Sequence, residues 1–154
     1  MSSAIMFSKS EREFLNIQRV CRIATVDFSN YSHVVPICFV FDGGSFWTTV
    51  SRDGKRVRNV NRGSKVSILV DEYEERSQEW IILRGLLINC EATLLNHRDN
   101  KDQFMKGWRL LIEKYPQYKQ WANADLTPKD PDRRIIMQLV PTKKTSWGFG
   151  SSHR

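Results

Sequence analysis

The segment Ser51-Arg52-Asp53-Gly54-Lys55-Arg56-Val57-Arg58-Asn59 concentrates the charged chemistry of this chain. It follows a β-forming run and passes through Asp-Gly. It then opens into a pattern with Val57 and Val60 three apart, the mark of a short helix with one buried stripe. The first backbone N–H groups of a helix lack intrahelical partners and carry the positive end of the macrodipole, so they attract anions. Cationic side chains there oppose the dipole unless an anion offsets them. Arg52, Lys55 and Arg56 can supply charge-assisted hydrogen bonds to a phosphate. A solvated basic surface helix is the alternative reading of the same residues. A Walker loop is excluded, because Thr49 stands where the first glycine belongs and Arg56 where Ser or Thr belongs.

Two neighbouring segments bear on the same chemistry. Val34-Val35-Pro36-Ile37-Cys38-Phe39 reads as a strand with a proline, which cannot donate to a ladder and so implies an edge or bulge. Backbone groups freed there suit a planar heterocycle, although a plain edge strand accounts for them equally. Phe46-Trp47-Thr48-Thr49 alternates aromatic and hydroxyl residues just before the basic turn. A threonine there can reach a phosphate or ring oxygen, and Trp47 also suits a core. Trp80 and Arg84 share one face of a later strand and suit a ligand or an interface. The stripe Phe104, Trp108, Leu111, Tyr115 has helical spacing and reads as core. No Gly-x-Ser-x-Gly, paired carboxylates or nucleophile–histidine arrangement is present, so catalytic residues stay unassigned and any turnover would come mainly from a cofactor.

The 154 residues suit one domain, with 40% hydrophobic and 27% charged residues. With 24 Lys and Arg against 17 Asp and Glu, the net charge of +7 favours an anionic partner: nucleic acid, an acidic surface or a phosphorylated small molecule. Arg52 to Lys65 carries six cations and one acid, yet none of the five tryptophans is interleaved with it. Base stacking needs exposed aromatics beside the groove, so nucleic acid is not the expected partner. Cys21, Cys38 and Cys90 each lie in apolar stretches and read as buried thiols in a reducing compartment. His33, His97 and His153 show no metal-ligand spacing, and no metal is expected. The first residues do not read as a signal peptide, and the apolar runs are too short to cross a bilayer. A cytoplasmic protein without membrane association is the expectation.

Positioning these segments requires six strands: Val20 to Val26, His33 to Phe41, Phe46 to Val50, Val66 to Val70, Glu79 to Leu95 and Arg134 to Val140. Asp42-Gly43-Gly44-Ser45 marks a hairpin and an antiparallel meander. Gly85 marks a bend or bulge, and Pro141 to Arg154 a polar tail. Ser8 or Ser10 caps a short first helix, and Arg98 to Tyr115 forms a longer one that stops at Pro116. His33 to Phe41 and Trp80 to Ile88 are apolar on both faces, which suits a closed or partly closed barrel with helices or a second subunit outside. The chain is thus mainly β with peripheral α, a single domain over 1–154 with a helical insertion at about 98–123.

The order of motifs carries a resemblance. Arg22-Ile-Ala-Thr-Val26, His33-Val-Val-Pro-Ile-Cys-Phe39, Phe46-Trp-Thr-Thr49, Lys55-Arg56 and Val66-Ser-Ile-Leu-Val-Asp71 are followed by Trp80, Arg84-Gly85, Pro141 and Ser146-Trp-Gly148. Together, from about Phe14 to Gly148, they resemble the pyridoxamine 5'-phosphate oxidase-like FMN-binding split barrels, within them the branch that includes deazaflavin (coenzyme F-420) users. The resemblance implies a six-stranded antiparallel split β-barrel and a homodimer with cofactor sites at the subunit interface. It implies that the backbone of Val35, Pro36 and Ile37 faces the ring and that Thr48, with Trp47 beside it, lies near the ribityl-phosphate. Lys55 matches the family's phosphate-binding lysine with Arg56 as helper, Trp80 stands where the oxidases use a glutamine on the partner subunit, and Trp147 would cover the ring. FMN is the implied cofactor and F-420 the alternative, with hydride transfer to or from a small-molecule substrate. A non-catalytic flavin-binding module is the second reading and a nucleic-acid-binding barrel the third. The Arg and Lys that the oxidases proper carry around Val34 to Phe39, and their C-terminal Arg-x-His, are missing, which argues against vitamin B6 oxidation.

Overall fold

The structure is a computed structural model that describes residues 4–76 and 80–149. Seven strands, β1 (Val20–Val26), β2 (Ser32–Cys38), β3 (Val40–Phe41), β4 (Phe46–Ser51), β5 (Lys65–Arg76), β6 (Trp80–Leu95) and β7 (Arg134–Trp147), form one antiparallel sheet in the order β2-β1-β5-β6-β7-β4-β3. The helices are α1 (Lys9–Ile17), α2 (Lys55–Arg62) and α3 (Lys101–Lys114). Ser8 caps α1, its side-chain oxygen accepting the Glu11 N–H at 3.1 Å, as the Ser-x-x-Glu spacing predicts.

The sheet curls so that its alternate residues point to opposite environments. Inside the curl Ile23, Ile68, Leu86, Ile88, Phe39, Phe46 and Met137 are completely buried, with Phe14 and Leu15 of α1 and Val57 and Val60 of α2 closing the core. On the reverse of β4 and β7, Trp47 and Ile136 face Phe104, Trp108, Leu111 and Ile112 of α3, which forms a second core. Gly107 permits this contact, since a Cβ there would lie 2.7 Å from the Trp47 ring and 2.6 Å from Ile136. The reverse of the β2-β1-β5-β6 portion is covered by no helix among the described residues. Val34 (56%), Leu83 (57%) and Leu87 (40%) are exposed there beside Pro36 and Trp147.

Three details differ from the sequence expectation. Among the described residues there are seven strands rather than six, because the segment expected as one strand over His33 to Phe41 breaks at Phe39. The backbone of Phe39 turns to the Tyr115 side chain instead of a neighbouring strand. Of the expected polar tail, Pro141 to Trp147 is the second half of β7, pairing with β6 as far as Gly85↔Trp147, and residues 150–154 lie outside the described residues. A bulge at Asn89/Cys90 absorbs Thr142, whose hydroxyl donates to the Asn89 carbonyl at 3.1 Å, so Pro141 does not end the strand. Gly85 is neither a bend nor a bulge. It pairs regularly, and its missing side chain makes room for the Trp147 ring, which a Cβ would approach to 2.6 Å.

Candidate functional site

Strand β4 delivers the basic turn. After Ser51 the chain is tied down by the Arg52 N–H to the Arg133 carbonyl and the Gly54 N–H to the Ser51 carbonyl, both at 3.0 Å. Gly54 sits so close to that carbonyl that a Cβ would lie 3.1 Å from it. Helix α2 then begins with Gly54 as a cap that brings no side chain, and no acidic residue stands in its first turn. The N-terminal end of α2 is therefore left positive by its own sequence.

The cations around it have unequal fates. The Lys55 ammonium lies 3.3 Å from Asp27 Oδ2. Asp27 opens the β1–β2 turn. The Tyr31 N–H first, then the Ser29 N–H and Lys55, hold its carboxyl below the ordinary carboxylate range. Arg58 donates to the Asp53 carbonyl at 2.7 Å. Arg62 donates to the Asp27 carbonyl and covers the Phe28 ring at 4.8 Å. These three side chains knit loops to α2. Arg56 differs. It is half-buried, burial pushes its guanidinium below its ordinary range, and its buried Nη1 has no hydrogen-bond partner among the described residues. Among the described residues, the ionisable neighbour that acts on it is Tyr118, not a carboxylate.

Beside this turn lies a seam between β2 and β4. Strand β2 pairs with β1 without interruption from Val26↔Ser32 to Val20↔Cys38, and its other edge has no partner strand among the described residues. A continuous ladder through Arg22↔Pro36 is possible only with the proline nitrogen turned to the open edge. Alternation along the strand then turns the Val35 and Ile37 backbone groups to β1 and the Pro36 carbonyl to the seam. The Cys38 carbonyl has the same parity and accepts the Thr48 hydroxyl at 2.7 Å, so Thr48, 2% exposed, locks the closed end of the seam.

The remaining residues singled out by the sequence are dispersed. Trp47 points away from the seam into the α3 core, its indole N–H donating to Asp42 Oδ2 at 2.9 Å. Trp80 opens β6 opposite Arg76, and its side chain lies outside the described residues. Trp147 lies on the uncovered reverse of the sheet, over Gly85. The structure thus ties Thr48 to the Cys38 end of β2 and Lys55 to Asp27 at the β1–β2 turn, turns Trp47 into the α3 core and sets Trp147 over Gly85. Sequence reasoning passed over Asp27, His33 and Tyr118. The insertion carries Tyr118, stacked on Tyr115 (centroids 5.7 Å apart) and Trp108 (6.4 Å) and hydrogen-bonded to Cys38. Burial pushes the Tyr118 hydroxyl strongly up. Only Asp27 left a local signal, the Asp-x-Ser-Asn turn pattern. Two grooves of about 580 and 460 Å³ meet at Val26 and Lys65, beyond the C-terminal end of α2, and none of the nine sequence-chosen residues lines them.

Several solved structures share this architecture. HutZ, the heme storage protein of Vibrio cholerae, superposes with a TM-score of 0.74 at 19% identity over 97% of this chain and 100% of that one. An F420 reductase matches with a TM-score of 0.64 at 17% identity, covering 90% of this chain and 98% of the other. A FAD-binding protein of Mesorhizobium loti matches with a TM-score of 0.60 at 14% identity and 87% coverage of each chain. At such identities the likeness establishes the fold. No curated protein matches the sequence. A model of the pyridoxamine 5'-phosphate oxidase family matches residues 7–147, nearly the whole chain, and takes in both sides of the seam and the basic turn. The chain belongs to the pyridoxamine 5'-phosphate oxidase family.

Proposed function

We propose that this chain binds a flavin-type cofactor by its phosphate, FMN first and coenzyme F-420 as the alternative, and works as an oxidoreductase in a homodimer. The observation that carries the reading is Arg56, a half-buried cation whose Nη1 is out of water and without a hydrogen-bond partner among the described residues. A buried charge of this kind is costly unless a counter-ion arrives. A phosphate monoester fits, because it accepts several charge-assisted hydrogen bonds at once. Lys55, already 3.3 Å from Asp27, would share that anion at the positive end of α2. The Pro36 carbonyl on the open edge offers an acceptor to the N–H of a planar ring, and Thr48 keeps the two walls of the seam in register.

When bound, the ring supplies the hydride-carrying centre, and the chain binds and orients it. Its substrate is a small molecule whose identity these residues do not name. The uncovered sheet face supports the homodimer. Val34 and Pro36 at the open edge of β2, and Leu83, Leu87 and Trp147 on β6 and β7, are the apolar residues of this face, with the Arg22–Asp71 ion pair between them, so a second copy packed there would wall the seam. Trp80 and Trp147 are the residues by which that copy would meet the ring.

Reconstitution of purified protein with FMN, F-420 or haemin tests the reading, with each ligand released and identified by mass spectrometry. Retention of FMN or F-420 that drops at least tenfold in Arg56→Ala and Lys55→Ala is the expected result. Preferential retention of haemin, or flavin retention unaffected by both substitutions, would overturn it.

A further inference from the structure

The basic segment from Arg52 to Lys65 contains no aromatic residue, but the fold brings aromatics to its far end from the β1–β2 turn. That turn is pinned by its own hydrogen bonds. The Asp27 N–H donates to the Tyr31 carbonyl and the Tyr31 N–H to Asp27 Oδ1, both at 3.0 Å, and the Ser29 N–H reaches the same carboxylate oxygen at 2.8 Å. It holds Phe28 and Tyr31 in water at 72% and 74% exposure, with Val26 at 50% beside them, so the tip carries an apolar cluster and not a single ring. Arg62, in the last turn of α2, docks here. It donates to the Asp27 carbonyl and sets its guanidinium 4.8 Å from the Phe28 centroid. Arg58 stands four positions earlier on the same helix face, and Lys65 opens β5 three positions later. Arg58, Arg62 and Lys65 are exposed, and none has a carboxylate within ion-pair distance among the described residues. Arg62 and Lys65 also line the groove of about 460 Å³, together with Val26, Asn59, Gly63 and Ser64. Arg62 is thus common to the ring, the turn and the groove.

Exposed rings interleaved with cations beside a polar groove are what a flexible polyanion with flat bases requires. We propose that this corner of the barrel binds single-stranded nucleic acid: Phe28 stacks a base, Arg62 and Lys65 hold the flanking phosphates, and the groove between α2 and β5 takes the neighbouring nucleotide. Arg62 covers one face of the Phe28 ring and leaves the other to the base. The pinned turn presents the ring in place, so little ordering is left to be done on binding. The net charge of +7 draws a polyanion to the chain. An anionic lipid surface would also meet rings and cations, but it has no use for a groove lined by an amide, a hydroxyl and a glycine backbone. This site lies at the C-terminal end of α2, and it is carried by residues other than those that carry the cofactor reading.

The experiment reads fluorescence anisotropy of a labelled oligouridine of roughly 10 nucleotides on the purified full chain, with and without excess FMN. Wild type should bind in both cases, its log K falling linearly with log salt. Phe28→Ala should weaken binding by ~10-fold, the loss of one stacked base, and Phe28→Tyr should keep most of it. Arg62→Ala and Lys65→Ala should each flatten the salt slope by ~0.7, one phosphate contact apiece. Far-UV circular dichroism checks that the variants fold. Absence of oligouridine binding, or binding that Phe28→Ala leaves unchanged, would overturn the inference. So would its loss in excess FMN, which would place the oligonucleotide in the proposed cofactor site. Tighter, Phe28-dependent binding to phosphatidylserine vesicles would overturn it in favour of a membrane surface.

Discussion

The Tyr115 hydroxyl lies 3.1 Å from the Phe39 amide nitrogen and 2.6 Å from the Phe39 carbonyl oxygen, filling the gap where β2 gives way to β3. It accepts the amide proton and is within 2.7 Å of the Arg19 carbonyl as well, so its own proton goes to one of the two carbonyls. A buried backbone amide without this partner would be unsatisfied. Tyr115→Phe removes the partner and adds nothing, and should destabilise the chain by about 1–3 kcal/mol in urea titrations. An unchanged midpoint would mean that Phe39 finds another partner.

Gly107→Ala tests the second core. The added methyl must displace either the Trp47 ring or Ile136, both fully buried. Overpacking of this kind typically costs about 1–3 kcal/mol, read as a lowered melting temperature. Trp47 sits one residue from Thr48, so tryptophan emission should shift as well.

Arg56→Met separates stability from binding. The substitution keeps an unbranched stem while deleting a half-buried cation that has no counter-charge. Thermal denaturation without ligand should show equal or greater stability, and the preference for FMN over riboflavin should disappear. A clear loss of stability would show that the guanidinium has a structural partner.

The Asp27 carboxyl titrates low because the folded chain aims the Tyr31 and Ser29 N–H groups and Lys55 at it. A carboxyl lowered by folding contributes stability above its unfolded value, roughly 3.9. That contribution is lost as the pH falls through the folded value. Urea midpoints at about pH 5 and about pH 3 should therefore diverge more in wild type than in Asp27→Asn.

Lys114 gives a slope of the same sign in an alkaline window. Its ammonium donates to the Gln18 carbonyl at 2.6 Å and covers the Phe39 ring, and burial, the larger cause, together with Arg19 lowers its pKa to about 8. Between that value and the unfolded one, roughly 10.4, the unfolded chain binds more protons, so stability should rise with pH across this window. Lys114→Met should flatten that rise relative to wild type.

Much of the frame could be read in advance because it is written locally. Val57 and Val60 announce α2, Asp42-Gly43-Gly44-Ser45 announces its hairpin, and Ser8 with Glu11 announces the start of α1. What escaped was decided by residues distant in sequence. The break at Phe39 depends on Tyr115, 76 positions later. The length of β7 depends on a bulge that lets Thr142 slip out of register against Asn89. Within the basic turn, adjacent Lys55 and Arg56 look interchangeable in the sequence. Only the fold gives one an aspartate from the β1–β2 turn and the other a tyrosine from the insertion. Gly85 was visible as special, but its reason, an indole from the far end of the chain, was not.

Pro36 has one further consequence. An exposed sheet margin is normally a template on which another extended chain can grow, the first step toward fibrils. With a ring nitrogen turned outward in mid-strand, β2 withholds a hydrogen that any incoming backbone would need. The same residue that turns its carbonyl to the seam thereby denies the margin to polymer growth.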